Sequence, residues 1–355
     1  MISADTSEKI LHISPPDILA KDMLVSASCR EKTNTDLVHL SRTLGFSALL
    51  REAVAPRTHS WPAVCPQGRR LRLNEPPGAQ IIEPVVLGDG SILASIKPSG
   101  RLVLLREDES SPLPMEAAPF PVRAKAVRDG ICHLLEQDGS RIYMVDSDLR
   151  PVGVTDALTK AGVERPTSLC FYGDFVGVLS WPRKEAWILD ANWKSVARAR
   201  LPWVDFLCHP VGVGSTLIAV DTPFCSQGPG GVVAVPLDGR PFSLFDALPV
   251  PLGLCSCGHF FVCGHSRGLA LFSFTGTKAF YLGDIPTHSM GIPLKNDERL
   301  AITYVRQFGE NLLLLCDVMI AGVSGTKSTW IVKIPRSGCV PSTDGTPFQN
   351  RKEPG

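Results

Sequence analysis

The chain has 355 residues, 44% of them hydrophobic, and its 36 Lys+Arg against 35 Asp+Glu leave a formal net charge of +1. That much apolar material at so low a charge excludes a disordered polymer, and the balance leaves no basic footprint for nucleic acid. Its length suits one large domain or two ordinary ones.

Met1 to Lys9 lacks the cationic start and apolar segment of a secretory leader. No run reaches the ~18 uncharged apolar residues of a membrane-spanning helix, so no membrane insertion is expected. The expectation is an intracellular protein, cytoplasmic or nuclear, whose 11 cysteines are reduced thiols, mostly buried, rather than a disulfide framework.

Residues 1–60 read as a partly helical extension. Ser14-Pro15-Pro16-Asp17 places proline and an acid at a helix start, ahead of Ile18 to Ser28. Leu37, Leu40 and Leu44 recur near helical spacing after Thr35-Asp36. This extension either docks a partner or packs on the following domain.

From about residue 61 to 338 the pattern changes to short apolar runs punctuated by Gly and Pro, the signature of an all-β domain. A glycine follows one apolar run and precedes the next at Gly90, Gly130, Gly173, Gly214 and Gly258, at intervals of 40, 43, 41 and 44 residues. A third run follows each anchor: Arg101 to Leu105, Arg141 to Val145, Glu185 to Leu189, Val232 to Val235 and Gly268 to Phe272. Turn formers such as Lys97-Pro98-Ser99-Gly100 separate second from third runs, and a weaker fourth run (Ser195 to Leu201, Lys278 to Leu282) closes the unit. A further unit between Ile285 and Ile334 carries three strand-like runs without a clean glycine anchor.

Four antiparallel strands recurring every ~40 residues resemble the blades of a β-propeller, a superfold rather than a particular family. The fold expected is a six- or seven-bladed β-propeller of four-stranded antiparallel blades. The count is seven if Ile10 to Ser14 or the stretch from Trp61 to Leu73 adds strands, and one terminus often completes the last blade. Residues 339–355 are expected to be a disordered tail.

Two local patterns suggest chemistry. Gly264-His265-Ser266-Arg267-Gly268 matches the nucleophile elbow of a serine hydrolase, but only Asp284 and His288 follow within reach, and the repeat puts Ser266 in a hairpin turn. Cys255, Cys257, His259, Cys263 and His265 are all zinc-ligand types; a turn at Gly258 would spread them over two strands, so a metal there stays open. No catalytic, cofactor-binding or metal-ligating residue is assigned, and no cofactor is implied. The functional expectation is a non-catalytic protein-protein interaction module or scaffold subunit, with proteins as partners and no small-molecule substrate indicated. The alternative is an enzyme, hydrolase-like, with its site in the central channel. Against it, the residues three before each anchor, Leu87, Val127, Cys170, Val211 and Cys255, form an apolar or thiol set.

Overall fold

The computed structural model describes residues 67–71, 79–97, 99–106, 113–115, 120–137, 141–223, 229–258, 260–320 and 326–335. The expected N-terminal helices, His259 and the tail from 339 lie outside them.

Six sheets of four antiparallel strands form six blades, each ordered outward from an innermost strand. The innermost strands are Gln80–Val86, Val122–Arg128, Ser168–Tyr172, Leu207–Val213, Pro251–Cys257 and Glu298–Phe308. Each touches the innermost strand of the next blade, and the last touches the first, so the ring closes around a channel. The architecture is a six-bladed β-propeller; among the described residues the only α-helix is the single turn Ala157–Lys160, between blades 2 and 3.

The five anchor glycines all occupy the turn between first and second strands, each at positive φ. A left-handed residue is what so tight a turn demands there, and glycine adopts it without steric cost. Blade 6 has the same device at Gly309, φ 56°, between Glu298–Phe308 and Asn311–Ile320. The connection 287–297 and an 11-residue first strand together displace that glycine from the ~40-residue rhythm, which hides it in the sequence.

Of the stretch Trp61 to Leu73, Gln67–Arg70 becomes the outermost strand of blade 6, pairing antiparallel with Trp330 to Lys333. The first strand in the chain therefore completes the last blade, and the number of blades is six. Closure of this kind ties the two ends of the propeller through backbone hydrogen bonds and removes an open edge.

The core is divided into six apolar wedges, one between each pair of adjacent blades. Leu93 and Leu102 meet Cys132 and Leu134 between blades 1 and 2. Ile81 and Val103 meet Leu313 and Ile331 between blades 1 and 6. No blade buries both faces alone, so each is stabilised mainly by its neighbours.

Candidate functional site at the channel mouth

A cavity of about 1460 Å³ opens where the innermost strands begin, at the end of the channel opposite the glycine turns. Its lining includes Glu83 of blade 1, Ser168 of blade 3, Cys208 and His209 of blade 4, and Thr303 and Tyr304 of blade 6.

These side chains reach the channel because the innermost strands bulge. The register slips between Ile82 and Val85 in blade 1 and between Cys208 and Val211 in blade 4, two diametrically opposed blades. The residues set free are Glu83-Pro84 and His209-Pro210, and both Glu83 (φ 50°) and His209 (φ 51°) are left-handed. Left-handed backbone on a side-chain-bearing residue, ahead of a proline that already restricts it, costs about 1–3 kcal/mol at each site. The bulges re-aim an acid and an imidazole at the axis from opposite sides.

The expected apolar ring does not line the axis: Leu87 and Val127 pack between blades 1 and 2, Cys170 between blades 3 and 4, Val211 between blades 4 and 5, and Cys255 between blades 5 and 6. The inserted residue of a bulge reverses the facing of the strand on its far side from the glycine turn, where the polar residues reach the channel. The axial set is Glu83, Lys125, His209, Tyr304 and Arg306, from four of the six blades.

Arg306 sits beneath the cavity as a cross-brace. Its Nε donates to the Pro84 carbonyl at 2.9 Å, and its Nη1 donates to the carbonyls of Val305 at 2.8 Å and Leu254 at 3.2 Å, joining blades 1, 5 and 6. Lys125, only 2% exposed, donates from Nζ to Ser95 Oγ at 2.6 Å and so ties blade 2 to blade 1. Burial pulls the Lys125 ammonium down to about 8, against the attraction of Glu83. Burial raises the Glu83 carboxyl above its ordinary value, with Arg306 and then Lys125 opposing the shift. Desolvation, reinforced by Arg306, pulls His209 down to about 3, so its imidazole is neutral at physiological pH.

His209 Nδ1 is buried without a hydrogen-bond partner. Buried polar atoms in folded proteins are nearly always paired, and an unpaired one in a cavity lining leaves a hydrogen-bonding position open to a water, an ion or a ligand. The Tyr304 ring meets His209 edge-on, and the Glu83 backbone N–H is directed at the Tyr304 hydroxyl. Chemically the floor presents a carboxyl held toward its protonated form on one side and a neutral imidazole on the other.

Of the residues singled out in the sequence, Ser266 lines the cavity at its rim, whereas His265, Asp284, His288 and the thiols Cys255, Cys257 and Cys263 lie outside its lining. Ser266 occupies the turn between Phe260–His265 and Gly268–Phe274, and its Oγ donates to the Pro249 carbonyl at 2.8 Å. His265, 1% exposed, has Nε2 3.3 Å from Asp284 Oδ1 while its Nδ1 accepts from the Arg267 backbone N–H at 3.2 Å, so both ring nitrogens are engaged away from Ser266. Cys255 and Cys257 face the wedge between blades 5 and 6, whereas Cys263 faces the wedge between blades 4 and 5. The strand thus holds these thiols on opposite faces. The seven cysteines among the described residues are all free thiols, and burial raises the pKa of Cys132 to about 12. No described helix is long and apolar enough to cross a membrane.

No family model matches the chain, and no curated protein matches it in sequence. Among solved structures, a streptogramin B lyase is similar over 76% of this chain and 98% of its own, at 12% identity and TM-score 0.49. A gluconolactonase from Xanthomonas campestris is similar over 76% of this chain and 90% of its own, at 17% identity and TM-score 0.49. A virginiamycin B lyase from Staphylococcus aureus is similar over 77% and 99%, at 10% identity and TM-score 0.46.

Proposed function

We propose that this protein acts through the mouth of its channel, as a receptor for a small molecule bound against His209 and Glu83. The observation that carries this reading is the unpartnered, buried Nδ1 of His209 at the floor of a 1460 Å³ cavity. Opposed bulges hold His209 and Glu83 in left-handed conformations at the cavity. Concave sites with a few converging polar groups and shifted pKa values are where ligands bind in folded proteins.

The test is ligand-observed NMR on the full chain with a mixed set of organic acids, nucleotides, sugars and neutral aromatics. Binding by wild type that is lost in both His209→Ala and Glu83→Gln, with melting curves confirming folded variants, supports the reading. Signals that all survive both substitutions, or no binding by wild type, overturn it.

A second reading, the interaction module expected from the repeat pattern and the N-terminal extension, is favoured by the outermost strand of blade 2. There Val152 and Val154 on Pro151–Thr155 are each 55% exposed on an unpaired sheet edge. Affinity purification of the full chain against a Val152→Lys/Val154→Lys variant tests it: partners lost only in the variant support it, and an unchanged set counts against it.

A further inference from the structure

The rim of the mouth is chemically lopsided. Lys97 of blade 1, Arg123 of blade 2, Arg267 of blade 5 and Arg299 of blade 6 all line the cavity. Among the described residues none of these four cations lies within ion-pair distance of a carboxylate. On the far side, from blades 3 and 4, stand Trp181 and Phe206, with ring centroids 5.1 Å apart.

Three acids share the cavity, and each is offset. Glu298 is paired with Lys327 and also accepts the Lys295 backbone N–H. Asp317 is buried, accepts the Thr329 hydroxyl at 2.7 Å and is pushed up by burial to about 6. Glu83 lies at the floor, facing Lys125 and Arg306. The rim therefore presents uncompensated positive charge along four contiguous blades and aromatic surface on the remaining two.

Resting on the reading that the mouth is a ligand site, we infer that its ligand is a planar organic anion: an aromatic ring bearing a carboxylate or a phosphate. The acidic group sits among Lys97, Arg123, Arg267 and Arg299, and the ring lies against Trp181 and Phe206. Guanidinium groups match carboxylate and phosphate oxygens in pairs, and an aromatic wall favours a flat apolar body over a sugar or an aliphatic chain. Charges at the rim of a low-dielectric funnel also draw anions in, an effect that added salt weakens.

Calorimetric titration of the full chain with four probes tests this: salicylate and phenyl phosphate as planar anions, citrate as a non-planar anion, and benzyl alcohol as a planar neutral molecule. At least one planar anion is expected to bind tenfold or more tightly than citrate and benzyl alcohol. Arg267→Gln/Arg299→Gln, both at exposed positions, is expected to weaken it tenfold or more while melting as wild type does. Whichever of salicylate and phenyl phosphate binds more tightly identifies carboxylate or phosphate as the preferred head. Benzyl alcohol bound as tightly as either anion, and lost in His209→Ala, would overturn the anionic ligand while leaving the mouth a binding site. Planar anions that do not bind, or bind equally well to the arginine variant, overturn the inference outright.

Discussion

The imidazole of His209 and the ring of Tyr304 meet edge-on, their centroids 4.8 Å apart and their planes at 85°, bringing the innermost strands of blades 4 and 6 together at the channel floor. His209 is kept neutral in this contact, so acid must act on it. Its folded pKa, about 3, lies below the ordinary 6.5, and the unfolded chain binds the proton first. Stability from the neutral ring is thus fully present above pH ~6.5 and is lost progressively as the pH falls toward 3. Melting temperatures of wild type and His209→Asn, measured from pH 7.5 to 4, should diverge, wild type falling more steeply. Parallel curves would show that the ring is not desolvated.

Asp317 carries the opposite sign. Burial raises its carboxyl from 3.8 to about 6, so the native state holds the proton more tightly, and stability is lost as the pH rises through that window. Asp317→Asn keeps the acceptor for Thr329 and removes the buried charge. It should stabilise the protein on the order of 1–3 kcal/mol at pH 7.5 and have little effect near pH 4. Urea unfolding at the two pH values measures this, and destabilisation at pH 7.5 would contradict it.

The repeat was legible because each blade needs the same left-handed turn, and glycine is the residue that supplies it; Gly90 through Gly258 therefore mark the period without any structure. Gly309 was lost to view because the connection 287–297 and the long Glu298–Phe308 strand together stretch the interval. The site was much less legible. Glu83 and His209 look like polar interruptions in apolar strands, and only pairing register reveals the bulges that turn them inward. A signal was nevertheless present: both stand directly before a proline in an innermost strand, at Glu83-Pro84 and His209-Pro210, where the ladder must break. Arg306 gave none, since a lone arginine near a strand end is ordinarily solvated. The Cys255 to His265 cluster was dense in sequence, but strand alternation separates its thiols.

Gly212 of blade 4 packs directly against the Tyr172 ring of blade 3. A Cβ at Gly212 would lie 1.9 Å from Tyr172 Cγ, closer than any relaxation of the ring alone would relieve. Gly212→Ala should cost about 3 kcal/mol or more, and pairing it with Tyr172→Ala should recover part of that loss. Denaturant unfolding of the two singles and the double is the check; a neutral Gly212→Ala would contradict the packing of these blades.

Ring closure predicts an asymmetry between two short deletions. Removing residues 67–71 takes away the fourth strand of blade 6 and bares the edge of Thr326–Pro335, so the melting temperature should fall by about 10 °C or the chain should aggregate. Removing residues 293–296, in the connection between the fourth strand of blade 5 and the first strand of blade 6, deletes no strand and should cost less. Scanning calorimetry of the two variants decides the matter, and equal melting temperatures would argue against closure by this strand.

The most direct test of the central claim is a crystallographic fragment soak of the full chain. The mouth should collect bound molecules, with at least one placing a polar atom within hydrogen-bond distance of His209 Nδ1 while lying between the Arg267 and Trp181 sides of the rim. Fragments found only on the outer surfaces of the blades, with none at His209, would contradict the account.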